Sequence, residues 1–208
     1  MVKEDRQYEV AFEIAGPAAM FTRPDTGATP VSYPAPTYSA AKGMFESIAR
    51  VKSAYIKPVK VEICAPIRYH RYTTNYGGPL RKSNQLSKGS SYQLYATILV
   101  DVCYRVYGVV TELSAPPRDE VTTTNHLHLL KEKFERRLRN GRWYHVPCLG
   151  WKEFTPSYVG PFRPETKVEE SVEQIIPSML FSVFAAPGNY APKYKQDVWI
   201  KKGVLEYA

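Results

Sequence analysis

One alternating run limits the chain more than any other feature. From Tyr92 to Val106 every second residue is apolar or aromatic: Tyr92, Leu94, Ala96, Ile98, Val100, Val102, Tyr104 and Val106. Between them stand Gln93, Thr97, Asp101 and Arg105. A period of two sustained over this length predicts a strand with one buried face. Two shorter runs repeat the pattern. Tyr8, Val10, Phe12 and Ile14 alternate with Glu9, Ala11 and Glu13. Val59, Val61, Ile63, Ala65, Ile67 and Tyr69 alternate with Lys60, Glu62, Cys64, Pro66, Arg68 and His70, and predict a strand with Pro66 at an edge or a bulge.

Two segments carry the helical period instead. Thr37 can cap a helix whose buried stripe is Ala41, Met44, Phe45 and Ile48. A second helix is predicted from about Asn125 to Asn140, with Leu127, Leu130, Phe134 and Leu138 inward. Asn125 or Thr124 would cap its start, and Gly141 would stop it. A further strand is expected from Trp143 to Phe154, bent at Pro147 and Gly150. The order strand, helix, strand, strand, helix, strand predicts an α+β, ferredoxin-like (RNA-recognition-like) domain, an antiparallel sheet with helices on one face, over residues 1–155. The Pro-rich stretch from Pro156 to Pro164 ends that unit. Residues 156–208, with an apolar strand from Met179 to Phe184 and a basic end (Lys193, Lys195, Lys201, Lys202), predict a small C-terminal β appendage.

Composition narrows the function classes. The 208 residues hold 28 Lys+Arg against 20 Asp+Glu, a net charge of +8, with 44% apolar and 13% aromatic residues. That much aromatic and apolar material excludes a disordered chain. No apolar run approaches the roughly 18 residues of a spanning helix, and the charged start Met1-Val2-Lys3-Glu4-Asp5 lacks a signal-peptide segment. Cys64, Cys103 and Cys148 lie far apart, which fits neither a disulfide framework nor a zinc cluster. A soluble, cytoplasmic protein without a membrane partner is expected, and the surplus of cations points to a polyanion.

The cations cluster. No acidic residue occurs from Ile63 through Val100, while Arg68, Arg71, Arg81, Lys82 and Lys88 do, interleaved with Tyr69, Tyr72 and Tyr76. Cations neutralise phosphates and tyrosine rings stack on unpaired bases. The centre, Thr73 to Ser91, is rich in Gly, Ser and Asn and predicts a long loop. The bland alternative is a solvated hairpin with no partner. The second helix is basic too. Lys131, Lys133, Arg136, Arg137, Arg139 and Arg142 face only Glu132 and Glu135. At a helical period His126 shares a flank with Lys133 and Arg137, and His128 lies near Glu132 and Glu135. A helix start attracts phosphate, and an imidazole beside a phosphate can take a proton from a ribose hydroxyl, which favours His126 as the reacting group. The bland alternative is a pair of surface histidines. Two apart, His126 and His128 make poor joint metal ligands, and neither a Gly-rich phosphate loop nor a clustered metal site is visible, so no metal or cofactor is expected.

Specific strings then resemble the Cas5 family of CRISPR systems, in the type I-C (Dvulg) branch of the RAMP superfamily. They are Phe21-Thr22-Arg23-Pro24 with Val31-Ser32-Tyr33-Pro34; Pro36 through Gly43 leading into Glu46-Ser47-Ile48; Ala65-Pro66-Ile67-Arg68-Tyr69; and Phe134 through Arg139, Asn140-Gly141, Pro147, Leu149-Gly150 and Lys152-Glu153-Phe154. The resemblance spans residues from about 8 to 155. It implies a ferredoxin-like domain with a small β domain, and an endoribonuclease that cuts the CRISPR precursor RNA in its repeat hairpin by metal-independent 2′-hydroxyl attack. Such a protein then stays on the 5′ handle of the mature RNA beside other Cas subunits of a type I-C complex. The alternative it implies is a non-cleaving handle-binding subunit, and it leaves room for contact with double-stranded DNA. On this reading His126, His128 and Lys131 are the catalytic candidates. Tyr38, Lys42, Arg68, Arg71, Arg81, Lys82, Lys133 and Arg137 are the RNA-binding ones. The chain departs from the branch at two places. Ala49-Arg50-Val51-Lys52 stands where the branch has Tyr-Trp-Lys-Pro, so the tyrosine is missing, with Tyr38 and Tyr55 as possible substitutes. No adjacent Lys-His or Lys-Tyr pair opens the second helix.

Overall fold

The longest alternating run becomes the central strand. In the computed structural model, which describes residues 8–76, 82–90, 92–113, 125–186 and 189–207, β4 covers Tyr92–Glu112. β1 (Glu9–Ala19) lies antiparallel along one edge of it, from Glu9 opposite Val109 to Ala19 opposite Leu99. β2 (Ala54–Ile63) lies antiparallel along the other edge, and β5 (Tyr158–Gly160) pairs with the outer side of β1. The resulting order β5-β1-β4-β2, with one helix after β1 and another after β4, is the ferredoxin-like arrangement expected from the element order. The helices are α1 (Tyr38–Ile48) and α3 (His126–Arg139), with a short α2 (Ser83–Ser87) between β3 (Tyr69–Tyr76) and β4.

Local chemistry explains both long helices. The Thr37 hydroxyl accepts from the Ala40 N–H and starts α1, whose stripe Ala41, Met44, Phe45 and Ile48 is buried. The Asn125 side chain accepts from the N–H groups of Leu127 and His128 and starts α3. Gly141 follows α3 at φ 59°, a conformation that glycine adopts without strain. Phe12 of β1, Phe45 of α1 and Phe134 of α3 meet with ring centroids 5.1–6.0 Å apart and form the centre of the core. Gly108 of β4 makes room for them: a Cβ there would stand 2.9 Å from the Phe45 ring.

Several expectations need correction. The run from Val59 to Tyr69 is not one strand. β2 ends at Ile63 opposite Tyr104, and β3 begins at Tyr69 opposite Leu99, so five residues of one side face four of β4. Pro66, without an N–H to pair, sits in that irregularity. The stretch expected as a loop from Thr73 to Ser91 is partly regular, because β3 continues to Tyr76 and α2 follows at Ser83. Trp143 to Phe154 is not a strand. Gly150 takes φ 91° and lies so close to the Met20 carbonyl that no Cβ fits, while Leu149 and Phe154 are buried in an irregular path. The last strand of the motif is β5, inside the Pro-rich stretch.

The C-terminal residues extend the same sheet. β6 (Gln174–Ala186) and β7 (Asn189–Lys201) form a long hairpin, and β8 (Val204–Glu206) pairs with both β7 and β2. To reach it, the chain after β5 crosses the helix-free face as a strap. Glu13, on that face and fully buried, receives the Arg163 Nε–H at 2.6 Å, the Arg163 backbone N–H at 3.1 Å and the Thr166 hydroxyl at 2.9 Å. Arg105, opposite Glu13 in the sheet, donates to the carbonyls of Arg163 and Thr166 at 3.1 and 2.6 Å. Among the described residues no helix is long and apolar enough to cross a membrane.

Candidate nucleic-acid interface and active site

The start of α3 gathers groups from three distant segments. His126 Nδ1 lies 2.9 Å from the Ser53 hydroxyl, in the turn before β2. Its Nε2 is buried and has no hydrogen-bond partner among the described residues. His128 points outward with its side chain 55% exposed, and its Nε2 lies 3.0 Å from Glu132. The Tyr8 ring stands 6.0 Å from the His128 ring, and the Tyr8 hydroxyl accepts from the Asn125 amide at 3.0 Å. Lys131, one turn from His128 on the same face, pairs with Glu135 at 3.7 Å. The helical register expected from the spacing is the one observed. Burial, however, sets the two histidines apart: the ring nitrogen that His126 leaves free lies inside, and the accessible imidazole is that of His128.

The opposite flank of α3 is held against α1. Lys133 Nζ donates to the Arg50 carbonyl at 3.0 Å, and an Arg137 N–H donates to the Ile48 carbonyl at 3.0 Å. The Ile48 carbonyl lies at the negative end of α1 and the Arg50 carbonyl two residues beyond it, so Arg137 caps the helix and Lys133 ties down the chain that leaves it. Burial, and then the charges of Arg137 and Arg136, push the Lys133 ammonium below its ordinary pKa.

The other RNA-binding candidates lie elsewhere. Tyr38 stacks on Phe181 at 4.2 Å and meets Tyr207 edge-on, and burial, then Tyr55, raise its hydroxyl to about 12. The half-buried ring packs α1 against β6. Lys42 pairs with Glu46 at 3.8 Å and lies over the Tyr55 ring. Arg68 reaches Asp101 at 3.9 Å, and Arg71 covers the Tyr95 ring at 4.4 Å. Lys82 caps α2 through its N–H to the Gln85 side chain. Arg81 lies outside the described residues. Arg68 and Arg71 sit where β3 meets β4 near Thr97, whereas the α3 start lies by the Thr111 end of β4. At about 3.4 Å per residue, that is on the order of 45 Å along the strand. The two basic regions that look alike in sequence are therefore separate surfaces.

The β3–β4 ribbon exposes its cations. The expectation from the sequence that these cations bind RNA predicts that changing Arg68, Arg71 and Lys82 together to Ala weakens binding of a repeat RNA and flattens its salt dependence by roughly 0.7–0.9 log units per lost phosphate contact. Filter binding across a salt series reads both, and an unchanged slope removes the ribbon from the RNA surface.

Sequence reasoning missed Ser53 and Tyr8. Neither carries a local signal, since each meets α3 only across the fold. Among the described residues no group of three or more His, Cys, Asp or Glu is placed to hold a metal ion.

Comparison with known proteins agrees with this architecture. A family model described as CRISPR-associated protein (Cas_Cas5) matches residues 9–197. A protein of Mannheimia succiniciproducens, named CRISPR pre-crRNA endoribonuclease Cas5d, is 30% identical over 217 residues, covering 95% of this chain and 93% of its own. One of Thermus thermophilus with the same name is 30% identical over 152 residues, covering 72% of this chain and 62% of its own. In fold, the chain is similar to a crystal structure described as a CRISPR-associated protein, with TM-score 0.73, 18% identity and coverage of 96% and 91%. It is also similar to a functionally uncharacterized protein from Streptococcus mutans, with TM-score 0.70, 18% identity and coverage of 96% and 92%.

Proposed function

Because the chain belongs to the CRISPR-associated Cas5 family, we propose that it is a CRISPR precursor-RNA endoribonuclease that cuts repeat RNA at the start of α3 and keeps the 5′ handle bound. The observation that carries this reading is the meeting of His126, His128, Lys131 and Tyr8 at one end of a basic helix. The names of the two curated relatives support the activity.

The chemistry needs no cofactor. A base removes the proton of the ribose 2′-hydroxyl, and O2′ forms a bond to the adjacent phosphorus. The P–O5′ bond breaks, and O5′ leaves with a proton. The products are a 2′,3′-cyclic phosphate and a 5′-hydroxyl. His128 is the base in this reading. With its Nε2–H given to Glu132, the Nδ1 lone pair is free to accept the proton. Lys131 stabilises the charge that builds on the phosphoryl oxygens. His126, anchored on Ser53, is a positioning residue that fixes the first turn of α3.

His128→Ala is expected to slow single-turnover cleavage at least about a hundredfold, the usual scale for losing a general acid or base, with little change in RNA affinity. His126→Ala is expected to cost less, and His126→Asn, which can keep a bond to Ser53, less again. The reverse ranking would return the proton transfer to His126.

One observation favours a second reading. Ala49 occupies the place of the family tyrosine, and a non-cleaving subunit would bind the handle with the same surfaces. In that case the purified protein retains repeat RNA intact. Under either reading the protein works in the cytoplasm beside other Cas subunits, and contact with double-stranded DNA would fall to the β3–β4 ribbon.

A further inference from the structure

The ion pairs of α3 are unevenly distributed. On one flank His128 is matched with Glu132 and Lys131 with Glu135. Along the rest of α3, Lys133, Arg136, Arg137 and Arg139 have no carboxylate partner among the described residues, and neither do Arg50 and Arg142 beside them. Hydrogen bonds place four of these, Arg50, Lys133, Arg137 and Arg142, close to the end of α1, and Arg136 neighbours Lys133 and Arg137 on α3. Lys133 bonds the Arg50 carbonyl, Arg137 bonds that of Ile48, and the Arg142 N–H donates back to Arg137 at 3.0 Å. Capping α1 accounts for Arg137, and holding the chain just after it accounts for Lys133. Neither accounts for Arg50, Arg136 and Arg142, which are exposed. Crowding of like charges on a rigid helix opposes folding; the Lys133 ammonium is lowered first by burial and then by the charges of Arg137 and Arg136.

An aromatic platform adjoins these cations. The N–H groups of Tyr144 and His145 donate to the Ser47 carbonyl at 2.8 and 2.9 Å. The backbone therefore does the docking, and the Tyr144 side chain remains 46% exposed. His145 stands against its ring at 4.4 Å, and Arg137 lies 5.9 Å from it. Cations with a supported, accessible ring are what an unpaired nucleotide strand requires: charge for phosphates and a face for a base.

We propose that Arg50, Arg136, Arg142 and Tyr144 form a binding track for the single-stranded RNA that continues from the scissile nucleotide. This rests on the nuclease reading, or equally on the handle-binding one. The 14 residues of α3 make a helix about 20 Å long with the histidines at one end, and Tyr144 follows the other end, so the track is a few nucleotides in length. The hairpin occupies the start of α3, the strand follows its unpaired flank, and a base stacks on Tyr144.

The test uses the full chain and two labelled RNAs, the repeat hairpin alone and the hairpin with its single-stranded flank. A variant carrying Arg136→Ala, Arg142→Ala and Tyr144→Ala keeps the backbone contacts to α1, and a thermal melt checks its fold. It is expected to bind the flanked RNA at least about tenfold more weakly, the scale of one lost stacking contact. Its salt dependence should flatten by about 0.7 log units per lost phosphate contact. Affinity for the hairpin alone should match that of the unaltered protein. Equal loss on both RNAs, or no loss on either, overturns the track while leaving RNA binding in place. If the unaltered protein binds neither RNA, the functional reading itself fails, and the track with it. A variant that melts early is replaced by Tyr144→Ala alone, for which the same comparison decides.

Discussion

Replacing the single ribose 5′ to the scissile phosphate by 2′-deoxyribose is expected to abolish cleavage while leaving binding intact. The substitution removes the attacking oxygen, so no rearrangement of His128, His126 or Lys131 can restore the reaction. The phosphates, which dominate affinity, remain. Cleavage of the unmodified RNA is expected to persist in excess EDTA, since proton transfer by imidazole and charge stabilisation by Lys131 are the devices the α3 start offers. The products should carry a 2′,3′-cyclic phosphate and a 5′-hydroxyl. A deoxy substrate that is still cut, or a reaction that EDTA stops completely, would mean that an activated water rather than the ribose attacks phosphorus.

Removing the Glu13 carboxylate is expected to destabilise the fold more than any other single surface-directed or polar change discussed above. Glu13→Ala leaves Arg105 and Arg163, whose side chains are 17% and 34% exposed, without their buried anion. Breaking a fully buried pair costs about 3–5 kcal/mol, and solvent reaching Arg163 screens part of it, so a loss of about 2–3 kcal/mol is expected. Denaturant unfolding should show that loss, and the strap at residues 161–166 should become the first protease-sensitive segment. The same carboxylate predicts a pH dependence. Burial alone would raise its pKa, but the side-chain and backbone hydrogen bonds from Arg163, with that from Thr166, hold it below the ordinary value. A lowered folded-state pKa contributes stability above the unfolded pKa and loses it as pH falls through the folded one. The unaltered protein should therefore weaken from about pH 5 downward, and Glu13→Gln should flatten that window. A Glu13→Ala protein within about 0.5 kcal/mol of the unaltered one would mean that the strap is held by Arg105 and its carbonyl contacts instead.

These two results depend on different kinds of information. The α3 helix, its Asn125 cap, its Gly141 stop and the divergence of His126 and His128 around it follow from local rules, because capping and a period of 3.6 act within a few residues. The same holds for α1 with Thr37, and for the existence of β1 and β4, although the alternation is broken in both: in β4 Leu99 is buried, Val100 only half-buried and Asp101 at φ 53°, and in β1 the strap buries Glu13 on the second face. The ferredoxin-like order could be read for that reason. Local rules failed at Trp143 to Phe154, where apolar residues looked like a strand. The segment buries Leu149 and Phe154 from an irregular path that Gly150 makes possible, and a periodicity argument has no means of separating the two.

By itself, then, the sequence determined the two helices, the central strands, their order and the two concentrations of cations. The tertiary structure alone decided which of those pieces meet. Ser53 bonds His126 across 73 residues and Glu13 bonds Arg163 across 150. Cys64 pairs with Cys103 through a backbone bond of 2.8 Å, although nothing in their spacing relates them. It also separated the β3–β4 ribbon from the α3 surface and turned one histidine inward and the other outward. Periodicity reports which face of an element is apolar. What covers that face, and which polar groups it leaves accessible, depends on elements far along the chain, and only packing brings those together.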